Sequence, residues 1–167
     1  MFLAGIALTG TVSSQPVDAA PASLTRPADL ETWPTLGTTL RMSAENPEQG
    51  WQMRHVQMAP AALRSFIASG QYPDGATFSA TLYGVALETT HTPNFYHAEQ
   101  EAALVMEVID RAHPDGRRFY VFAPGVTMAT ALPAGNECAV CHAARGSFDG
   151  TFGDFYPTIA RHRAASN

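Results

Sequence analysis

Between residues 51 and 123 apolar side chains fall mostly on every second position, the period of a half-buried strand. Trp51, Met53 and His55 alternate with Gln52, Arg54 and Val56, which predicts a strand over Trp51 to Met58. The period then changes: Pro60 stands where a first helical turn tolerates it, Leu63, Phe66 and Ile67 share one face, and Gly70 follows, so a helix of about ten residues is expected. After the turn Tyr72-Pro73-Asp74-Gly75, Phe78, Ala80, Leu82 and Gly84 alternate with Thr77, Ser79, Thr81, Tyr83 and Val85, predicting a long strand to Leu87 with one apolar face. Glu88 to Gln100 shows no clear period and reads as a loop or irregular insertion. Ala102 to Arg111 has a helical alternative, but its β-branched residues and the His113-Pro114-Asp115-Gly116 turn favour a strand, with Arg117 to Ala123 completing a hairpin. Nearer the N-terminus, Leu30, Trp33, Leu36 and Leu40 recur at three- to four-residue spacing, which predicts a short amphipathic helix interrupted near Pro34 and Gly37. The sum is an α+β fold, predominantly antiparallel β-sheet with a few short helices.

Composition narrows this picture. With 46% hydrophobic and 15% charged residues the chain is globular, and its length suits one domain. The formal charge is −5 and the chain has no lysine, so nothing resembles a nucleic-acid footprint. Met1 to Val12 is a short apolar run, too short to span a bilayer, and Val17-Asp18-Ala19-Ala20 has the small-residue spacing of a signal-peptidase site. The expectation is a signal peptide over residues 1–20, against a buried N-terminal helix as the alternative, and a single domain over 21–167 that is periplasmic and free of the membrane after cleavage.

Candidate chemistry concentrates at Cys138-Ala139-Val140-Cys141-His142. Two thiols three positions apart, each able to add across a haem vinyl group, followed at once by an imidazole able to ligate the iron, form the c-type haem attachment pattern. A disulfide or redox pair and half of a zinc site are the competing readings. Zinc would usually want a second Cys/His pair, and the chain has no third cysteine; a thioredoxin-like motif would follow a strand, whereas Leu132 to Glu137 is a loop. The cofactor expected is therefore one covalently bound haem c with its iron: Cys138 and Cys141 carry the macrocycle and His142 is the metal ligand. The aromatic-rich segment from Ala143 to Pro157 either walls the haem beside that histidine or is ordinary core.

In this setting the chain resembles the cytochrome P-460 family, which includes the cytochromes c′-beta. The likeness runs over roughly residues 30 to 160 and is carried by Arg54-His55-Val56, Pro60, Gly70 through Asp74-Gly75, Ile109-Asp110, Phe119-Tyr120-Val121-Phe122, Glu137 through His142, and Asp149, Phe152 and Phe155-Tyr156-Pro157. It implies a β-rich homodimer with one pentacoordinate haem per subunit and an open distal face. In the family's hydroxylamine-oxidising members a lysine on the strand after Asp-Gly is cross-linked to the macrocycle and a nearby carboxylate relays protons. Ala80 falls at the lysine position here, which makes that cross-link impossible, and Val105 falls near the carboxylate position with Glu101 and Glu107 as the nearest acids. The likeness is thus closer to the cytochromes c′-beta, which cap the iron with phenylalanines. Phe78, Ala80 and Val105 are the distal-pocket candidates; Phe78 is the first candidate cap or a plain core residue, with Trp51 and Phe95 next.

An iron with one imidazole and an apolar opposite face favours neutral diatomics such as NO and CO. The expected function is gas binding for sensing, transport or detoxification. One alternative is an electron-transfer cytochrome with a redox partner protein, for which Met53, Met58, Met106, Met128, His55, His91 or His97 would supply a sixth ligand. The other is a hydroxylamine- or NO-oxidising enzyme lacking the lysine cross-link, with His91, His97 or Glu107 as general acid or base.

Overall fold

The computed structural model describes residues 20–42, 51–91 and 95–165. The expected signal peptide, apart from Ala20, lies outside these residues, as does Asn46-Pro47-Glu48-Gln49-Gly50, whose residue types predict a turn. Strand β1 (Ser23–Thr25) pairs antiparallel with β7 (Met128–Thr130) in a small two-stranded sheet. Strands β2 (Thr35–Met42), β3 (Trp51–Met58), β4 (Thr77–Glu88), β5 (Phe95–Ile109) and β6 (Arg117–Phe122) form a five-stranded sheet in that order, every neighbour antiparallel. Helices α1 (Pro60–Ser69), α2 (Glu137–Arg145) and α3 (Pro157–Ala165) complete an α+β, β-rich architecture, as expected from the alternation.

Helix α1 begins and ends where its residues dictate. Pro60 enters at the first turn, and Gly70 adopts a left-handed φ of 72° and donates its N–H to Phe66 O at 2.7 Å. Leu63 and Phe66 are buried, while Ile67 lies at the edge of that face and is 44% exposed.

Two expectations are corrected. The predicted amphipathic helix is only a 3-10 turn, Leu30–Thr32, and Leu36 and Leu40 stand on β2. Leu30, Trp33 and Leu36 are buried and Leu40 is exposed, so an i, i+3 recurrence arose from a turn leading into a strand. Gly37 is needed there, because a Cβ on it would lie 2.9 Å from the Tyr156 ring. The loop expected from Glu88 to Gln100 is largely strand: β4 runs through Glu88 and β5 starts at Phe95, pairing Glu88 with Phe95 and Ala86 with His97. This end of β5 is exposed on both sides, so side-chain alternation carries no signal of the backbone ladder there.

The middle of the sheet is covered on both faces. On one, Val56, Met58, Phe78 and Ile109 pack with Phe66 of α1, Tyr72 and Ile159 of α3. On the other, Leu104, Met106, Val108, Tyr120 and Phe122 pack with Leu30, Trp33 and Ala129. The polar face of β4 is covered as well as the apolar one: Ser79 and Thr81 are 1% and 4% exposed. Gln57 is buried as well, and its Nε2 donates to Leu30 O and Trp33 O, tying the 3-10 turn down.

Candidate functional site

Helix α2 is placed by its N-terminal loop. Gly135, at φ 70°, donates its N–H to Asp115 Oδ2 at 2.9 Å, and the Asn136 side chain caps the helix by accepting from Ala139 N at 3.1 Å. Glu137 in the first turn complements the helix dipole. Cys138, Cys141 and His142 thus share one turn of a capped helix, with Cys138 half-buried and Cys141 exposed. Burial pushes the Cys138 thiol up, and the Glu137 charge adds to this. A redox or zinc cysteine is usually depressed instead. Among the described residues no group of three His, Cys, Asp or Glu is arranged to hold a metal ion.

His142 is held on both sides and at one nitrogen. The rings of Phe119 and Phe152 meet it edge-on, each 4.9 Å away between centroids. Its Nδ1 lies 2.9 Å from Gly150 O, and because a carbonyl oxygen only accepts, Nδ1 carries the proton. In the neutral ring Nε2 is then the free donor to a metal. Gly150 sits in a left-handed turn with φ 65° after Asp149, whose carboxylate accepts from Arg111 at 2.7 and 3.2 Å.

Beside His142 opens a cavity of ≈ 540 Å³, within the range of cofactor and small-molecule sites. Its floor is the sheet: Val56, Phe78, Ala80 and Val105 line it, together with Cys141 and His142 of α2 and Phe152 and Tyr156 from the closing segment. Arg41, Arg54 and Arg145 also line it. None of these three makes an ion pair among the described residues; Arg54 donates only to Gln52 Oε1, at 3.2 Å. Burial lowers the Arg54 pKa, and the charge of Arg41 lowers it further. The one acid in the lining, Glu107, is already paired with Arg117. A floor of small and apolar side chains with unpaired guanidinium groups suits a large apolar ligand that carries carboxylates; the Cys141 thiol and the His142 imidazole stand at its side, and Cys138, one turn earlier on α2, is outside the lining. The donor set fits a haem and its two propionates.

The sequence-selected residues converge on this cavity. Cys141, His142, Phe78, Ala80 and Val105 all line it, and Ala80 is paired directly with Val105 in the β4–β5 register. The two positions selected by resemblance are thus cross-strand neighbours. Phe78 is also core: it is 7% exposed and packs edge-on against Tyr72 at 5.0 Å. Trp51 and Phe95 stand away from the cavity at the far ends of their strands; Trp51 stacks on Tyr96 and Phe95 is 62% exposed. None of the seven methionines and histidines named for a sixth ligand lines the cavity: Met58 and Met106 are fully buried core, Met128 is 62% exposed, and His55 is held between the Thr35 and Thr38 hydroxyls. Glu101 pairs with Arg26. Of the closing aromatics, Phe152 flanks the imidazole, whereas Phe148 packs in the core on Phe66 and Tyr72.

Unforeseen by the sequence reading was the group around the far edge of His142. Glu107 Oε2 lies 3.5 Å from Nδ1, Arg117 Nη1 donates to Glu107 Oε1 and to Gly150 O at 2.9 Å, and Arg117 Nη2 donates to Asp149 O at 2.6 Å. Strand alternation could have put Glu107 on the face of Val105, and Arg117 on that of Phe119, but not the pairing between them.

The model of the family described as Cytochrome P460 matches residues 27–153, more than half of the chain and the whole run from the first 3-10 turn to the turn beyond His142. No curated protein matches the chain.

Proposed function

The chain belongs to the cytochrome P460 family, a family of c-type haem cytochromes, and from that premise we propose that it is an exported, periplasmic monohaem protein that binds NO, CO or a similar neutral diatomic for sensing, transport or detoxification. Cys138 and Cys141 would hold the haem through thioether bonds and His142 would offer Nε2 to its iron, while Gly150 O keeps the proton on Nδ1. A haem held there would supply an iron able to bind a small neutral ligand. Ala80, Val105 and Val56 keep water from that face without offering a hydrogen bond, and Arg41, Arg54 and Arg145 neutralise the propionates.

The observation that carries this reading is the cavity's lining, which contains one imidazole, no methionine and no lysine, and whose one carboxylate, Glu107, is held by Arg117; by the resemblance, Ala80 falls at the position of the cross-linking lysine and Val105 near that of the relay carboxylate. It favours the cytochrome c′-beta type of chemistry over electron transfer through a six-coordinate iron and over hydroxylamine oxidation. We further propose a homodimer, in which a second copy covers exposed apolar residues such as Phe95, Tyr96 and Leu87.

The absorption spectrum of the ferrous protein, recorded with and without NO and CO, tests the reading. A high-spin spectrum that shifts with either gas is expected. A six-coordinate low-spin spectrum at rest, unmoved by CO, would overturn it in favour of electron transfer.

A further inference from the structure

We infer that Glu107 and Arg117 form a positioning pair for His142, in which Arg117 holds the carboxylate back from the imidazole so that Gly150 O remains the main acceptor of the Nδ1 proton. The inference rests on the reading of His142 as the iron ligand and adds what controls it.

Three elements converge on one ring nitrogen. β5 supplies Glu107, β6 supplies Arg117, and the turn after α2 supplies the carbonyls of Asp149 and Gly150. Both charged side chains are buried, at 7% and 8% exposure. A buried ion pair with no further role is often replaceable by apolar residues at no loss. This pair is instead wired outward: two further guanidinium hydrogens go to the two carbonyls of the turn that holds His142, and a Cβ on Gly150 would run into Arg117 Nη2. The guanidinium is therefore the seat on which the turn rests. Glu107 reaches the same Nδ1, but at 3.5 Å against 2.9 Å for Gly150 O, because its other oxygen is drawn to Arg117.

The partner of the outer nitrogen decides how strongly a ligating histidine donates. A carboxylate accepting from Nδ1 draws electron density toward Nε2 more than a carbonyl does. Arg117 restrains that effect, and Glu107 supplies what remains of it. The two residues, although paired, consequently have opposite influences on the iron. Removing the carboxylate weakens the iron–histidine bond and favours the ferrous state, whereas loosening Arg117 frees Glu107 to approach Nδ1, strengthens the bond and favours the ferric state.

Resonance Raman of the ferrous, gas-free holoprotein reads the iron–histidine stretch, and a redox titration reads the potential. Glu107→Gln, which keeps its shape and an acceptor for Arg117, is expected to lower the stretch and raise the potential. Arg117→Lys is expected to do the reverse, with the double variant resembling Glu107→Gln. Should Arg117→Lys fail to fold, Glu107→Gln alone decides. A folded Glu107→Gln holoprotein with wild-type stretch and potential, losing only thermal stability, would overturn the inference while leaving His142 as ligand. Absence of any iron–histidine stretch in the wild type would overturn both.

Discussion

On the back of the five-stranded sheet Leu104, Met106, Tyr120 and Phe122 are fully enclosed beneath Leu30 and Trp33, whereas on the front the same strands leave a cavity of ≈ 540 Å³ floored by Ala80 and Val105. The strands on the two faces share one ladder, so backbone pairing does not account for the difference. Side-chain choice does. The back is closed by large apolar side chains, four of them fully buried. The front places a small residue opposite Val105, commits a buried carboxylate to Arg117, and leaves Arg54 partly desolvated with no acid beside it. A sheet face selected for stability alone would close such a gap and pair or remove such a cation. The front is shaped for a ligand.

That contrast is sharpest in paired deletions of one phenyl ring. Phe122→Ala on the back and Phe78→Ala on the front each remove a buried ring and are expected to cost ~3–5 kcal/mol in denaturant unfolding. Only the second also borders the cavity, so stopped-flow CO association should rise in Phe78→Ala and stay at the wild-type rate in Phe122→Ala. An unchanged rate in both would make Phe78 core alone.

A smaller effect comes from Tyr72, which lines the front cavity and packs between Phe66, Phe78 and Phe148. Burial pushes its hydroxyl from 10.0 up to about 12. The unfolded chain releases that proton first as pH rises, so the associated stability is fully present below pH 10 and is lost as pH climbs through about 12. The loss amounts to ~2–3 kcal/mol at ~1.4 kcal/mol per pKa unit. Urea unfolding from roughly one unit below the free phenol's midpoint to about two units above it should show this slope, reduced in Tyr72→Phe.

The smallest expected effect is a change of sign at Arg54. With the cavity empty, in a Cys138→Ser/Cys141→Ser background, Arg54→Gln should leave stability unchanged or raise it by about 1 kcal/mol, because a desolvated, unpaired cation is removed. In the haem-loaded protein the same substitution should lower stability by about as much, through loss of a partner for a propionate. Equal effects in the two backgrounds would show that Arg54 serves the fold and not the ligand.

The strands and α1 were legible because their two faces differ in polarity, and the attachment motif because its three residues are adjacent in the chain. Features that depend on distant partners were not. Leu36 and Leu40 imitate a helix because a 3-10 turn happens to precede β2, and β5 before Glu101 is polar on both sides, so its pairing with β4 leaves no mark on the pattern. The resemblance singled out Ala80 and Val105, and the register brings them together. It gave Glu107 no place beside His142: that contact spans two strands and a turn, and Arg117 reaches the turn across more than thirty residues. Alternation puts Arg54 on the face of Val56 and Glu107 on that of Val105, hence on the cavity side, but it does not show which partner each meets there.

The central claim is that the front cavity is the seat of a haem held by α2. Intact-mass analysis of the exported protein under denaturing conditions tests it most directly. One haem's mass should remain with the polypeptide, Cys138 and Cys141 should resist alkylation, and the added mass should be absent from the Cys138→Ser/Cys141→Ser variant. A polypeptide of unmodified mass with two alkylatable thiols would contradict the account.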